Sequence, residues 1–354
     1  MSRSMSDTTA FHGLIEDRGA ERLYDGQITG CTITRDQSLV VFATGEGELI
    51  FAPRPTLRDS ASWICREVHD GPILSITADV TDATVLTGGE DCRLRRSDAE
   101  SSEELGRSRR WIEHIATFSG KSPMIALAAG KQVELRDASG REILRTLDHP
   151  STVSGLVFDS KGKRIAASHY NGASMWFVGS KDGSVRSFDW KGSHTGIAIH
   201  PTNEALVTSM QENELHGWRL SDGHNMRMSG YPSKIASMAF TRNGRWLATS
   251  GADCVVMWPF FNGGPIGKPP TEMPGIPGIF CTRVATHPTQ DIVAAGFADG
   301  SVLLIEYSSE RVLPVRMAGN GEVTALTFSN DGTILAWGTE GGIAGVADLS
   351  APNS

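Results

Sequence analysis

A closed β-propeller, an all-β ring of short antiparallel strands, is the fold class this sequence predicts, and three observations predict it. The first is a repeat with a period on the order of 40 residues. Val153, Leu156 and Phe158 precede Gly162, then Asn171 and Trp176; Ile235, Met238 and Phe240 precede Gly244, then Asp253 and Trp258; Val323, Leu326 and Phe328 precede Gly332 and a Gly341-Gly342 turn. Asn213 and Trp218 repeat the interval between turn residue and tryptophan. The second is strand grammar: Val, Ile, Leu and aromatic residues alternate with polar ones between Gly, Asn and Asp turns. The third is that no stretch carries a convincing helical stripe.

Taken in order, each unit opens on a V-x-x-L-x-F-like strand. The first strands begin near Ile28, Ile73, Ile112, Val153, Gly196, Ile235, Cys281 and Val323. This predicts eight blades of four antiparallel strands, with seven as the alternative. The second strands are apolar and end in Ser, Thr or Gly, as in LVVFATG, RIAASHY and IVAAGF. The third alternate, as in QVELRD, ELHGWRL and SVLLIEY. SWICREV, REILRTL, SVRSFDW, NMRMSG and RVLPVR fit a fourth strand. The stretch from Phe177 to Asp189 is irregular, and its SKDGSVRSFDW segment can also be read as a third strand; this is what keeps seven open. The last unit ends near Leu349 without an outer strand. Residues 11–24 are expected to supply it, closing the ring by pairing the two ends of the chain. The domain reading is then a flexible N-terminus over 1–10, a single propeller over 11–350 and a tail over 351–354.

Composition narrows the function classes. Hydrophobic residues are 39% of 354, and no apolar run reaches the roughly 20 residues of a spanning helix, so no membrane role is expected. MSRSMSDTTA has no apolar stretch after its arginine, so no secretory signal is expected. A net charge of −8 argues against a nucleic-acid binder, which needs clustered cations for phosphate. The cysteines, Cys31, Cys65, Cys92, Cys254 and Cys281, include no CxxC pair, and their odd number fits a reducing cytoplasm. Cys92 and Cys254 follow turn aspartates and read as small buried strand residues.

The turn residues Asp91, Asn171, Asn213, Asp253 and Asp299 invite a metal or catalytic reading. Geometry explains them better: Asp and Asn tolerate left-handed backbone and bond nearby amides. They are assigned a structural role, as are Trp176, Trp218 and Trp258, which share one repeat position. The ten histidines include no HxH or HExxH pair, and His200-Pro201-Thr202 and His287-Pro288-Thr289 are one repeated turn. No Ser-His-Asp, Cys-His, P-loop or dinucleotide pattern stands out. No catalytic, cofactor-binding or metal residue is assigned, and no cofactor.

Two surface features remain. Arg93, Arg95, Arg96, Arg107, Arg109 and Arg110 form a basic cluster broken by Glu100, Glu103 and Glu104, read first as a solvated outer edge and second as a dock for an acidic protein. The hairpins carrying His169, Tyr170, Met210, Gln211 and Glu212 have larger side chains than the other turns and belong to adjacent units. Tyr170 and Met210 are expected to make one partly apolar binding patch. The Pro/Gly-rich stretch from Pro259 to Gly278, with six prolines and five glycines, is a long connection read equally as binding loop or spacer.

Repeat length, turn aspartate and the tryptophan five residues later resemble the WD40 family over about residues 20–350. His69 and His149, each four residues before a first strand, partly match the family's Gly-His step; its Trp-Asp ending is mostly replaced, as at Ser97-Asp98, Arg136-Asp137 and Pro259-Phe260. The resemblance implies an incomplete side-chain network around the turn aspartates. HYNGASMWF, MQENELHGW and SGADCVVMWPF resemble stand-alone bacterial WD40 proteins, a group loosely associated with metal-chaperone GTPases. The expected function is a cytoplasmic, monomeric, non-catalytic scaffold that binds another protein or peptide through loops on one face. The alternative is a propeller enzyme of hydrolase or lactonase type with a central metal.

Overall fold

A computed structural model describes residues 13–180 and 183–351. The N-terminus expected to be flexible over 1–10, residues 11–12 of the closing segment and residues 352–354 of the tail lie outside these. The described strands pair antiparallel with their sequence neighbours, apart from one pairing between the two ends. They form seven sheets, six of four strands and one of six. This corrects the eight separate blades favoured from the sequence to the alternative count of seven.

Two long strands are the reason. Arg164–Phe177 occupies both the second and third strand positions of its unit, and its path turns at Asn171 and Gly172, where φ is 67° and 143°. Val185–Ile199 first pairs with the third strand, Phe188 opposite Ala173, and then with Ala205–Met210, Ile199 opposite Leu206. One strand runs on through Trp190–Ser193, bent at Gly192 where φ is 131°, so the units that begin at Val153 and Gly196 share one sheet. SVRSFDW is thereby an outer strand, not a third one.

At the ends of the chain, Gly19–Leu23 pairs with Ile343–Asp348, from Gly19 opposite Ala347 to Leu23 opposite Ile343. The segment before it is not strand: Leu14–Arg18 is one helical turn. Glu21 accepts from Nε of the buried Arg316 at 2.8 Å, and the same guanidinium caps the carbonyls of Gly300 and Gly319 at 2.7 and 2.9 Å. One buried cation thus ties the N-terminal strand to the preceding sheet.

The repeat's aromatic and glycine marks have a common cause. Gly162, Gly244 and Gly332 have φ of 62°, 69° and 74°, a region that disfavours any side chain. Each also lies beneath a ring from the previous unit: Phe118 over Gly162, His200 over Gly244 and His287 over Gly332. The histidines bond the glycine carbonyls through Nε2, at 2.8 and 3.1 Å. A Cβ at any of the three would collide with the ring.

The core lies between neighbouring units. Trp258 packs with Ala205, Val207 and Leu215 of the unit before it, and Trp218 packs with Ala166, Ala173 and Phe188. Trp176, half-buried, leans on the cluster of Ala126 and Leu135. Their polar edges differ. Trp258 Nε1 donates to Tyr231 Oη at 2.6 Å, and that hydroxyl meets Thr249 Oγ1 at 2.6 Å. Trp176 Nε1 donates to His149 Nε2 at 3.2 Å. His69 bonds Asp91 at 2.9 Å and Thr87 at 2.8 Å, but Arg96 stands where that unit would carry its tryptophan.

Candidate functional site

In a four-stranded antiparallel unit, the turn between second and third strands and the link to the next unit fall at the same end. Hydrogen bonds between these two loop sets order them around most of that rim. Tyr24 N donates to Gly342 O, Gly45 N to Gln27 O, Val68 N to Gly47 O and Glu90 N to Pro72 O, all at 2.9–3.1 Å. Ser108 N then reaches Cys92 O and Val153 N reaches Gly130 O, both at 2.8 Å. Tyr170 N donates to Ser151 Oγ at 2.9 Å, Gly192 N to Asn171 Oδ1 at 3.2 Å, and Gln211 N to Ser193 O at 2.9 Å. Short turns held from both sides make a stiff loop face.

The turn residues occupy this face as backbone supports. Asn171 and Asn213 are left-handed, with φ of 67° and 56°. Asp91 accepts from Arg93 N and Asp70 N, Asp299 from Ser301 N, and Asp253 from Gly278 N. The Asp91 carboxyl is held below its usual range by bonds from His69 and these amides, which overcome its desolvation. Neither Cys254 nor Cys92 is a strand residue: Cys254 is buried just before the strand Val256–Pro259, and Cys92 is half-buried in a left-handed turn (φ 64°). Among the described residues no group of three or more His, Cys, Asp or Glu could hold a metal ion.

The binding patch expected at His169, Tyr170, Met210, Gln211 and Glu212 is brought together only in part. Tyr170 is 56% exposed, and Gln211 and Glu212 are exposed on the neighbouring turn. Met210 is 1% exposed, a correction to the patch: every residue of Ala205–Met210 is buried, and the Met210 methyl lies against Gly192. His169 is a second correction, at 5% exposed, with Nε2 on Ser174 Oγ at 2.9 Å. What stands beside Tyr170 instead is Trp190, fixed by stacking on His216 at 3.8 Å and 15°. Tyr170, Asn171, Asp189, Trp190 and Lys191 line one open hollow.

The expected basic patch also divides, a further correction. Arg93 pairs with Asp70 at 2.9 Å, Arg95 bonds Ser102 Oγ at 2.9 Å, Arg96 pairs with buried Asp79, and Arg107 pairs with Glu104 at 2.8 Å. Register places Arg95 opposite Glu104 and Arg96 opposite Glu103, but Arg95 bonds Ser102 on the outer strand, Arg96 reaches back to Asp79, and Glu103 pairs with Arg141 instead. Arg109 and Arg110 lie beyond that strand on the loop face, exposed, and among the described residues neither is in an ion pair. Beside them Trp111 is 51% exposed, over a hollow of about 380 Å³ lined by Cys92, Arg109, Arg110, Glu113, Gly130 and Thr152. Sequence reasoning missed Trp111, Lys131, Trp190 and Lys191. The signal available was their position in the turns and links between strands.

The polar class defined by this geometry is a repeat propeller with a stiff loop face, and the comparisons with known proteins agree. Residues 223–258 match the family model "WD domain, G-beta repeat", and residues 284–352 match "Anaphase-promoting complex subunit 4 WD40 domain". These two matches and the WD-repeat relatives support a WD40-repeat β-propeller family for the chain. It is similar to Autophagy-related protein 16 of Arabidopsis thaliana, 22% identical over 76% of this chain and 54% of that one. It is also similar to Pre-mRNA-processing factor 19 of Oryza sativa subsp. japonica, 23% identical over 75% of this chain and 53% of that one. The human Serine-threonine kinase receptor-associated protein is 20% identical over 65% of each chain. The chain thus spans about half the length of the two plant relatives. The crystal structure of the computationally designed Ika8 protein superposes with a TM-score of 0.73 at 17% identity, covering 92% of this chain and 98% of that one, a likeness of fold alone.

Proposed function

We propose that this protein is a non-catalytic scaffold that binds another protein or peptide through its loop face. The observation that carries the reading is the rigid aromatic pair on that face: Tyr170 exposed on a turn bonded to Ser151, and Trp190 locked against His216. Aromatic side chains held in one conformation are the usual anchors of interface energy. Gln211 and Glu212 lie on the next turn, bonded to Ser193 through Gln211 N and Glu212 Oε1, and extend the surface. The enzyme reading has no three-ligand cluster among the described residues on which to build a metal site.

The scaffold acts as a monomer in the cytoplasm. Five free cysteines support a reducing compartment, and burial pushes the Cys31 thiol up to about 12. Among the described residues no helix is long and apolar enough to cross a membrane. Affinity capture from native extract tests the reading. Tyr170→Ala with Gln211→Ala should reduce capture of the partner about tenfold without lowering thermal stability. Undiminished capture by that variant, with loss on substitution of Phe177 elsewhere, would refute it.

A further inference from the structure

Charge on the loop face is sorted into two arcs. Following the rim in the order its hydrogen bonds give, Glu322, Glu340, Asp25, Glu46, Asp70 and Glu90 come in succession. Then cations predominate: Arg109, Arg110, Lys131 and, past Tyr170, Lys191, with Glu113 and Asp189 the acids that line the hollows between them. These four cations are exposed, and among the described residues none is in an ion pair. The contrast with Arg93, Arg95, Arg96 and Arg107, each bonded to an acidic or hydroxyl group of its own sheet or the loops beside it, separates arginines that hold the fold from cations left for something else. A cationic arc on a chain of net charge −8 is not a by-product of composition. The same arc carries the exposed Trp111 and Tyr170, with the hollow beneath Trp111 on one side of the 149–152 link and the hollow beside Trp190 on the other. The acidic arc has no exposed aromatic side chain among the described residues.

We infer that the partner docks through an acidic peptide segment bearing a bulky apolar side chain, laid along the arc from Arg109 to Lys191. This rests on the scaffold reading above. Its carboxylates meet Arg109, Arg110, Lys131 and Lys191, and its apolar side chain enters the hollow under Trp111. That hollow is of single-side-chain to small-ligand size and has the Arg110 stem over Gly130 as part of its wall. The acidic arc repels the same segment, which fixes where it lies and, by the same sign, disfavours a long polyanion such as RNA. Charge complementarity of this kind gives register and fast encounter, and the aromatic anchors give residence.

A selection from a displayed library of random peptides tests this on the full chain. The native protein is expected to enrich peptides of net negative charge containing an aromatic or large aliphatic residue. A selected peptide should bind about tenfold more weakly when salt is raised from about 0.05 to about 0.5 M. Arg109→Glu with Arg110→Glu and Lys131→Glu should lose at least about tenfold in affinity, Trp111→Ala a similar amount, and Glu46→Lys with Glu340→Lys none. Unchanged melting temperatures guard against unfolding. Enrichment of neutral or basic peptides, or equal binding by the reversed-charge variant, overturns the acidic-peptide inference while leaving the scaffold reading. Displacement of the peptide by a single-stranded oligonucleotide at lower concentration overturns it in favour of nucleic acid. Failure to enrich any peptide, with partner capture indifferent to Tyr170→Ala, overturns both.

Discussion

Removing the indole of Trp258 tests how the units are held together. The side chain is 6% exposed and sits among Ala205, Val207, Leu215 and Phe260. A buried tryptophan removes on the order of 200 Å² from water, which at ~25 cal/mol per Å² amounts to about 5 kcal/mol. Trp258→Ala should therefore cost roughly 3–5 kcal/mol, the range found for aromatic-to-alanine core changes. The polar end adds a separable part. Trp258 Nε1 donates to Tyr231 Oη, which meets Thr249 Oγ1, whose hydroxyl bonds Val256 O at 3.0 Å. Indole can only donate, so it heads a directional relay. Tyr231→Phe leaves a buried N–H without an acceptor and should cost about 1–3 kcal/mol. Trp258→Phe, which removes the donor and little of the apolar body, should cost about 1–2 kcal/mol, and the pair should couple by about 1 kcal/mol in a double-mutant cycle. Urea midpoints followed by far-UV circular dichroism measure all three. A Trp258→Ala midpoint within error of the parent would refute the packing account, and a zero coupling term would refute the relay.

Three further outcomes follow from the same contacts. Glu21→Ala leaves the buried Arg316 without its carboxylate but with its carbonyl caps, and should cost about 2 kcal/mol; deleting Gly19–Leu23 should cause aggregation, because Ile343–Asp348 becomes an unpaired edge. Equal melting temperatures for deletion and parent would contradict this. Gly244→Ala and Gly332→Ala should each destabilise by more than about 1 kcal/mol, through both the left-handed backbone and the overlying histidine ring; calorimetry showing no loss would show that the turns relax. Acidification should also destabilise. Burial pushes His149 and His114 down to about 4, and His149 Nε2 already accepts from Trp176, so a proton there would set two donors against each other. The folded state binds fewer protons than the unfolded chain between about pH 6.5 and 4, so stability is full above pH 6.5 and is lost as pH falls through that window. A melting temperature that is flat from pH 7 to 5 would contradict the buried neutral imidazoles.

Much of the fold was legible because its marks are steric. Phe118, His200 and His287 lie over Gly162, Gly244 and Gly332 and pack against Phe158, Phe240 and Phe328, so one ring of the previous unit fixes both the glycine and the aromatic before it, and left-handed turns select Asn171 and Asn213. The merging of two units into one sheet was not legible, because a strand that runs on through Trp190-Lys191-Gly192 looks in sequence like a link. Nor was the helical turn at Leu14–Arg18, too short to show a period. Exposure on the loop face was legible at Tyr170, Gln211 and Glu212 but not at Met210. Alternation distinguishes inside from outside only when one face of a strand meets water, and Ala205–Met210 is buried on both. The charge arcs were hidden because their members come from turns and links of different units, adjacent on the rim and far apart along the chain.

Site-resolved photo-cross-linking tests the central claim, that the loop face is where the partner docks. Benzoylphenylalanine in place of Tyr170, and separately in place of Ile143 on an outer strand and of Phe177 at the far end of its strand, puts one probe on the loop face and two off it; all three native side chains are exposed. After irradiation in native extract, the account predicts one discrete adduct from the Tyr170 position, absent from the other two. An adduct from Ile143 or Phe177 with none from Tyr170 would contradict it.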